Sequence, residues 1–554
     1  MYTATNIVAP VLASIVAYYL LRTVCRFLLR VSSSLPNGPS NTDWLFGNQK
    51  EIWSGSTCLG EPNPLDNWHE IYGHTFTAGG FFGTQRIYSK DIKAIQHIMR
   101  NDQLYLKPPV MQNILKSILG EGDPTCRTGT SIIVAEKEEH KIQRKVMNPA
   151  FGPNEIRELT PTFFEKSFEM RDIWNSRITA EGFGKIDSVY WLSKVTVDII
   201  GLTELGFNYH FNALNDPDQT NELNRAFTTM FRSSGGWTSA WMPLLAALPQ
   251  TVQQCIRASV SVFGYDTAIK SSAECIQRKC RELMMESKAF LAATGEKDNG
   301  WGTKNLLSLI LKSNMSSNTP MSDVDAIAQI PTFLIAGHDT TSLATNWALL
   351  ELALHQDIQT KLGEEILSVS TAMPNVDELN ALPYLDAFAR ETMRLHSPIT
   401  TLNRVATQDD IIPLTYAFTD RNGIVHHELP VRKGQLIHLT LHQVHTDKSL
   451  WGPHAGEFRP DRWLDVPNGV QAIPGVWSNL LTFWGGTHGC MGWRFSVTEM
   501  KVFLFVLLRS FHFELGVPKD ELTVLKMASI WQRPSLKSAP MQTELPLIIR
   551  PLKV

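Results

Sequence analysis

The sequence predicts a mainly α-helical α+β protein: one large domain with small β-sheets behind an N-terminal transmembrane helix. Apolar residues recur every three to four positions from about residue 90 to 375, as in amphipathic helices. Strand-like composition is found at 75–89 and again late in the chain. These patterns predict an anchor over 1–21, a linker over 22–45 and a folded body over 46–554.

The predicted anchor has no charged side chain from residue 1 to 21, and Arg22, Arg26 and Arg30 follow at once. At 1.5 Å per residue this stretch reaches about 30 Å, the thickness of a bilayer's hydrocarbon core. The positive flank predicts a lumenal N-terminus and a cytosolic body. A cleaved signal peptide is disfavoured, because no positive charge precedes the apolar stretch and no clean cleavage site follows it. Prolines and a glycine in "SSSLPNGPS" (32–40) then predict a non-helical linker.

The bulk composition excludes several classes of partner and site. The 554 residues carry a formal net charge of -3, and no basic run stands out, which argues against a nucleic-acid partner. The cysteines are seven in number and scattered, without a CxxC or Cys/His cluster, so neither zinc nor a disulfide framework is indicated. A reducing compartment is therefore expected. The cysteines are Cys25, Cys58, Cys126, Cys255, Cys275, Cys280 and Cys490.

Four glycines surround Cys490 in "FWGGTHGCMG" (483–492). Gly485, Gly486 and Gly489 permit unusual backbone conformations, and Gly492 would let the chain lie against a flat object. The next residues, "WRFSVTEMKVFLFVLL", predict a helix whose N-terminus would favour a thiolate at Cys490. A buried structural cysteine in a tight turn is the alternative, and the loop alone does not decide between the two.

A second polar feature interrupts the apolar stretch 329–354, which predicts one long helix. Asp339 and Thr340 stand side by side in "AGHDTT" (336–341). The structural interpretation is a local helix kink, promoted by Pro331, in which both polar side chains have hydrogen-bond partners and no further role. The functional interpretation is a proton relay that faces a pocket.

Two further stretches place charged groups at helical spacing. Glu391 and Arg394 in "ETMR" are three residues apart, and Arg462 in "FRPDRW" supplies a second cation in an aromatic setting. They indicate a buried clamp, with an ordinary surface ion pair as the alternative. His140 and Arg144 in "HKIQR" share a helix face, which predicts either a solvated basic surface or two donors aimed at an anionic group.

In this order and spacing, "AGHDTT", "ETMR", "FRPDRW" and "FWGGTHGCMGW" resemble the four signatures of the cytochrome P450 haem-thiolate monooxygenases. The resemblance implies that fold, a two-lobed haem domain, and a haem b cofactor with Cys490 as axial iron ligand. It implies that Phe483, Gly486 and Gly492 shape the ligand loop. His488 stands where the family usually has arginine; a histidine can still bind a haem propionate, but its charge depends on pH.

The same resemblance assigns the remaining residues. Asp339 and Thr340 would supply protons for oxygen activation, with Ala336 and Gly337 leaving room for the oxygen. His140, Arg144 and Arg404 of "TLNRVA" would bind the haem propionates. The structural triad would be formed by Glu391, Arg394 and Arg462.

The resemblance also implies partners. The chain has no Rossmann fingerprint or flavin-binding segment, so electrons from NADPH would come through a separate cytochrome P450 reductase, with cytochrome b5 as a further donor. Lys137, Lys141 and Lys145 could form its docking face, although a solvated helix surface explains them equally well. The endoplasmic reticulum membrane is the expected location.

Substrate choice is predicted only by class. The segments that the family resemblance places around the pocket are apolar and aromatic, which suits a lipophilic molecule. The sequence as a whole, including "IPTFLIAGHDTTS", resembles fungal members of the family that modify terpenoids or other secondary metabolites. Two alternatives stay open: a haem-thiolate isomerase or dehydratase that needs no reductase, and a non-enzymatic haem-binding protein.

Overall fold

A computed structural model describes most of the chain. The described residues are 35–40, 43, 45–53, 57–59, 61–118, 129–205, 212–215, 222, 225–226, 265–294, 307, 321–527 and 531–552. The predicted anchor over 1–21 lies outside them, and so does "RSSGGWTSAWMP" (232–243), whose composition predicts a loop. Within these ranges, no helix combines the length and apolar character needed to cross a bilayer.

Helices dominate the described residues, as predicted. Residues of high helix propensity recur at helical spacing, and Asn63, Asp91 and Ser322 cap three of the helices through their side chains. The helices are α1 Gln49–Trp53, α2 Pro64–Tyr72, α3 Ile92–Arg100, α4 Pro109–Ile118, α5 Lys137–Met147, α6 Pro153–Asn175, α7 Ser188–Ile200, α8 Tyr265–Thr294, α9 Asp323–Leu354, α10 Gln356–Leu367, α11 Val376–Asn380, α12 Pro383–Leu395, α13 Leu441–His445, α14 Lys448–Trp451 and α15 Trp493–Leu508.

Strands form small sheets around this helical framework. The strands are β1 Thr57–Cys58, β2 Thr75–Gly79, β3 Gln85–Ser89, β4 Tyr105–Leu106, β5 Gly184–Asp187, β6 Thr401–Ala406, β7 Asp410–Thr419, β8 Val425–Val431, β9 Leu436–Thr440, β10 Phe511–Leu515, β11 Leu522–Met527, β12 Trp531–Leu536, β13 Ala539–Thr543 and β14 Pro546–Pro551. The hairpin predicted over 75–89 is confirmed as β2 paired antiparallel with β3.

The chain divides into two compact units. The first contains Glu61–Leu106 and Thr401–Val444 with the described residues before Ser54. It carries a five-stranded sheet of order β2-β3-β9-β6-β4 and the hairpin β7-β8. Phe76, Ala78 and Tyr88 of this sheet pack with apolar residues of α1 and α2 to form the core of the unit.

The second unit contains Gly55–Gly60, Lys107–Thr400 and His445–Val554. Its sheets have the orders β1-β11-β12-β13 and β10-β14-β5. The long helix α9 packs against α7, α12 and α15, and it is buried on all sides over most of its length. The single helix predicted over 329–354 is therefore confirmed, and it continues through Pro331.

Local structure differs from the expectations in a few places. Residues 108–122, which the family resemblance places around the pocket as a loop, are helical over Pro109–Ile118, because proline opens the helix and apolar residues recur at helical spacing. The strand-like composition of "QLIHLTLHQ" (435–443) is confirmed in part: β9 ends at Thr440, and α13 follows. The strands of 401–431 were not predicted, since their polar and apolar residues alternate only weakly.

Candidate active site

The cysteine loop is built from two short 3₁₀ turns, Leu481–Phe483 and Gly486–His488, which lead into α15. The amide of Cys490 donates to the carbonyl of Phe483 at 2.8 Å, so the loop closes back on itself. Cys490 precedes the first residue of α15, as the sequence predicted.

The glycines of this loop differ in backbone conformation and in how closely they pack. Gly486 has φ +62°, a conformation that other residues adopt only with strain. Gly485 and Gly489 have φ values of -157° and -59°, so the prediction that they need special conformations was wrong. A Cβ on Gly489 would lie 2.9 Å from Val476 Cγ1, which makes close packing its reason. Gly492 has φ -81°, and a Cβ there would meet Phe151 only at 3.7 Å.

The thiol of Cys490 is accessible although the residue lies deep in the second unit. Its side chain is exposed, whereas the neighbouring Gly489 is buried. Burial raises the pKa of the Cys490 thiol, while the N–H of Gly492 and the charge of Arg144 act in the opposite direction. The thiol can therefore be reached by a ligand, and its surroundings offer donors to a thiolate.

Helix α9 runs beside this loop. Phe151 lies under Gly492 and packs against Phe333 of α9 with ring centroids 5.7 Å apart. The hydroxyl of Thr341 donates to Ser496 of α15 at 3.0 Å. These two contacts hold the middle of α9 close to the cysteine loop.

The "AGHDTT" segment exposes surface in the middle of α9. Ala336 is exposed, and Asp339 and Thr340 are partly exposed, whereas the turns on either side of the segment are mostly buried. The Thr340 hydroxyl donates to the carbonyl of Ala336 at 2.7 Å. Asp339 Oδ2 accepts from Arg533 Nη2 at 2.5 Å. The proton-relay candidates thus border open space, and Arg533 joins them.

Gly337 has a different role from the one expected. A Cβ at this position would come within 2.3 Å of Ile200 Cδ1 on α7. The absence of a side chain therefore allows α9 and α7 to pack closely, and it is Ala336 that borders the open stretch.

Cationic groups cluster on the other side of the loop. Arg144 Nη1 donates to the carbonyl of Gly489 at 2.6 Å, so α5 holds the loop directly. The rings of His140 and His488 lie 4.1 Å apart, and His488 Nε2 is 3.6 Å from Glu136 Oε2. Burial lowers the pKa of Arg144, and Cys490 acts against that shift. His140 is buried while the lysines of α5 are exposed, so the helix has one inward and one solvated face; the contact of His140 and Arg144 with an anionic group stays a prediction.

Glu136 and Lys107 complete this cluster and were missed in the sequence. Lys107 Nζ lies 3.4 Å from Glu136 Oε1 and also donates to the carbonyl of Ala135 at 3.1 Å. Glu136 directly precedes α5, and this acidic residue ahead of a basic helix was the available signal. Lys107 offered none, because its contact depends on the fold.

The predicted clamp is assembled and buried. Glu391 and Arg394 are fully buried, and Arg394 donates to both carboxylate oxygens at 2.9 and 2.8 Å. Arg462 Nε adds a bond of 2.9 Å, and Trp463 Nε1 one of 3.0 Å. Arg394 also donates to the carbonyl of His445 at 2.6 Å, so the clamp ties α12 to the last residue of α13.

Arg404 belongs to the first unit. It belongs to β6, its side chain is buried, and its Nη1 donates to the carbonyl of Asn403 at 2.9 Å. Its predicted contact with a propionate stays a prediction.

Comparisons with known proteins show the family of the chain. The family model for cytochrome P450 matches residues 36–538. Cytochrome P450 monooxygenase 205 from Postia placenta is 39% identical, over 99% of both chains. Cytochrome P450 monooxygenase 128 of the same fungus is 41% identical, over 93% of this chain and 92% of the relative. A ganoderic acid synthetase from Ganoderma lucidum is 31% identical, over 88% of this chain and 89% of its own length.

Proposed function

The chain belongs to the cytochrome P450 monooxygenase family, and from this premise we propose that it oxidises a lipophilic secondary metabolite with electrons from a separate NADPH-dependent reductase. The observation that carries the proposal is the accessible thiol of Cys490 beside an open stretch of α9 that bears Asp339 and Thr340.

The donor set fits a haem. One accessible thiol can ligate the iron, and Gly492 leaves the surface beside it without a side chain. His140, Arg144 and His488 form a group of hydrogen-bond donors that includes the permanent charge of Arg144, which suits the propionates. These residues of the second unit would hold the cofactor, and the propionate contact of Arg404 stays a prediction from the family resemblance.

When bound, haem supplies oxygen activation, and a thiolate ligand favours cleavage of the O–O bond. The chain's own residues perform the other tasks. The Gly492 N–H and the Arg144 charge stabilise Cys490 as a thiolate. Asp339 passes protons from solvent toward the reacting oxygen, and Thr340 exchanges its bond to the Ala336 carbonyl for a bond to that oxygen.

Electron delivery separates this proposal from the haem-thiolate isomerase alternative. We expect product only when NADPH, the reductase and oxygen are all present, because oxygen insertion consumes two electrons. Turnover would be measured on the purified chain, leaving out each component in turn. Product formed without reductase from a peroxide-bearing substrate would instead establish the isomerase or dehydratase. Haem binding with no oxidation across a broad lipophilic panel would establish a haem carrier.

The substrate proposal is a terpenoid or a similar lipophilic secondary metabolite. The ganoderic acid synthetase among the relatives supports this class, because its name refers to the synthesis of a fungal metabolite. Expression in a yeast that supplies sterol-like and terpenoid precursors, followed by mass spectrometry, tests it. A mass gain of one oxygen on such a precursor is expected, and oxidation of polar metabolites alone would contradict it.

We further propose that the chain is anchored in the endoplasmic reticulum membrane through 1–21, with its catalytic part in the cytosol. The uncharged stretch followed by arginines supports this topology. The full chain should resist extraction from microsomes by alkaline carbonate, and protease added outside the microsomes should digest its body. Complete release by carbonate would contradict the proposal.

A further inference from the structure

Arg533 is the residue near the proton relay for which the proposed function gives no role. It lies on β12, and its Nη2 donates to Asp339 Oδ2 at 2.5 Å. The two side chains keep only 17% and 18% of their surface exposed, so solvent screens this ion pair less than a surface pair. Within the described part of the chain, Arg533 is the cation that pairs with Asp339.

A second contact fixes the strand that carries Arg533. Trp347, two helical turns after Asp339, donates from Nε1 to the carbonyl of Gln532 at 3.2 Å. Trp347 is itself held by face-to-face stacking on His396, with ring centroids 4.4 Å apart. Since Gln532 and Arg533 are adjacent, α9 positions the backbone from which Arg533 reaches back to it.

The sheet restrains Arg533 as well. β12 pairs with β11 on one side, where Arg533 lies opposite Leu525, and with β13 on the other. A guanidinium that projects from a paired strand is better ordered than one on a loop. Asp339 lacks such restraint by itself, because a short acidic side chain on a helix can turn toward several backbone groups.

We propose that Arg533 is a positioning residue for the proton relay, an inference that rests on the proposed monooxygenase function. By holding Oδ2, Arg533 keeps Asp339 in the orientation from which Oδ1 relays protons beside Thr340. In each transfer Oδ1 accepts a proton from solvent and releases one to the reacting oxygen, so the carboxylate returns to its original charge. Arg533 keeps its own proton throughout, as expected of a guanidinium.

The main test compares Arg533→Gln with Arg533→Lys and Asp339→Asn in the reconstituted system. Arg533→Gln removes the charge, and the fraction of NADPH electrons found in product should fall roughly 10- to 100-fold, as for a misplaced catalytic group. NADPH oxidation continues, with hydrogen peroxide as the main product. Arg533→Lys should recover part of the coupling. Arg550→Gln, which breaks an exposed ion pair with Glu514, is the matched control and should leave coupling unchanged.

The double variant Arg533→Gln/Asp339→Asn shows whether Arg533 acts through Asp339. The double variant should couple no worse than Asp339→Asn alone, and in thermal unfolding it should be no less stable than either single variant, because each single change leaves one partner without its counterpart. Unchanged coupling in Arg533→Gln, or losses that multiply in the double variant, would overturn the inference.

A spectrum recorded on each variant separates this inference from the proposed function. The thiolate-type spectrum of the reduced carbon monoxide complex should be the same in all of them. If the wild type lacks that spectrum, the proposed function fails. If it is present while Arg533→Gln couples normally, only the role of Arg533 fails.

Discussion

Five hydrogen bonds converge on the buried carboxylate of Glu391. Arg394 donates two of them, from Nε and Nη2. The other three come from Arg462 Nε, from Trp463 Nε1 and from the Arg459 amide, which donates at 2.8 Å. A buried carboxylate is stable only when its charge and lone pairs are matched in this way. Glu391 therefore holds α12 and the segment around Arg462 as one structural piece.

Glu391→Gln should destabilise the protein strongly. The glutamine side chain has nearly the same shape as that of Glu391. The substitution removes the negative charge opposite two guanidinium groups and replaces one hydrogen-bond acceptor with a donor. Breaking a buried ion pair in this way costs about 3–5 kcal/mol in the free energy of unfolding. Denaturant unfolding measures the change. Glu514→Gln, at an exposed pair, is the control and should cost much less. Equal small losses in both variants would contradict the clamp.

At the scale of the secondary-structure elements, Glu351 connects the C-terminal part of α9 to the end of α12. Its Oε1 lies 2.6 Å from His396 Nε2 and its Oε2 lies 3.3 Å from His355 Nε2. Burial would raise the pKa of Glu351, but the two histidines outweigh it and bring the pKa down to about 2. The hydrogen bond to Glu351 raises the pKa of His355 above 6.5. These contacts make the junction of α9, α10 and α12 sensitive to pH.

The pH dependence of the stability follows from the lowered pKa of Glu351 and the raised pKa of His355. Glu351 titrates below its ordinary value of 4.5, so its contribution is present above that pH and is lost as pH falls toward 2. His355 titrates above 6.5, so its contribution is present below that pH and is lost as pH rises past it. Urea unfolding at several pH values should show both losses. Glu351→Gln should reduce both losses of stability, whereas His355→Gln should reduce mainly the loss at alkaline pH. Unchanged profiles would contradict the assignment.

Elements with local signals could be predicted from the sequence. The helices around "AGHDTT", "ETMR" and the stretch after Cys490 were predicted because their apolar period lies within one segment. Arg533, Glu136 and Lys107 were missed because each reaches its partner only through the fold, 194 residues along the chain in the case of Arg533. The packing role of Gly337 was missed for the same reason, since Ile200 belongs to another helix.

At the scale of the whole molecule, the proposed function requires a second protein that supplies electrons. Lys137, Lys141 and Lys145 are exposed on α5, the helix whose Arg144 holds the cysteine loop. Lys141 is partly compensated by Glu138 at 3.6 Å. A basic surface attached directly to the ligand loop suits an acidic electron donor.

Reversing charge on this surface should weaken reductase docking. Lys137→Glu/Lys145→Glu should raise the reductase concentration needed for half-maximal turnover about 10-fold at low salt, and added salt should reduce the difference. Lys185→Glu/Lys537→Glu reverses two other exposed lysines and is the charge-matched control. Titration of reductase against NADPH-dependent turnover gives the values. Equal effects of both pairs would show a general effect of net charge and no docking face on α5.

The central claim is that Cys490 is the thiolate ligand of a haem iron. The difference spectrum of the reduced carbon monoxide complex tests it most directly, because the position of the main absorption band reports the ligand opposite carbon monoxide. The wild type and Cys275→Ser, a change at a free cysteine distant in sequence, should both give a thiolate-type band. Cys490→Ala should lose it. A thiolate-type band retained in Cys490→Ala would contradict the account.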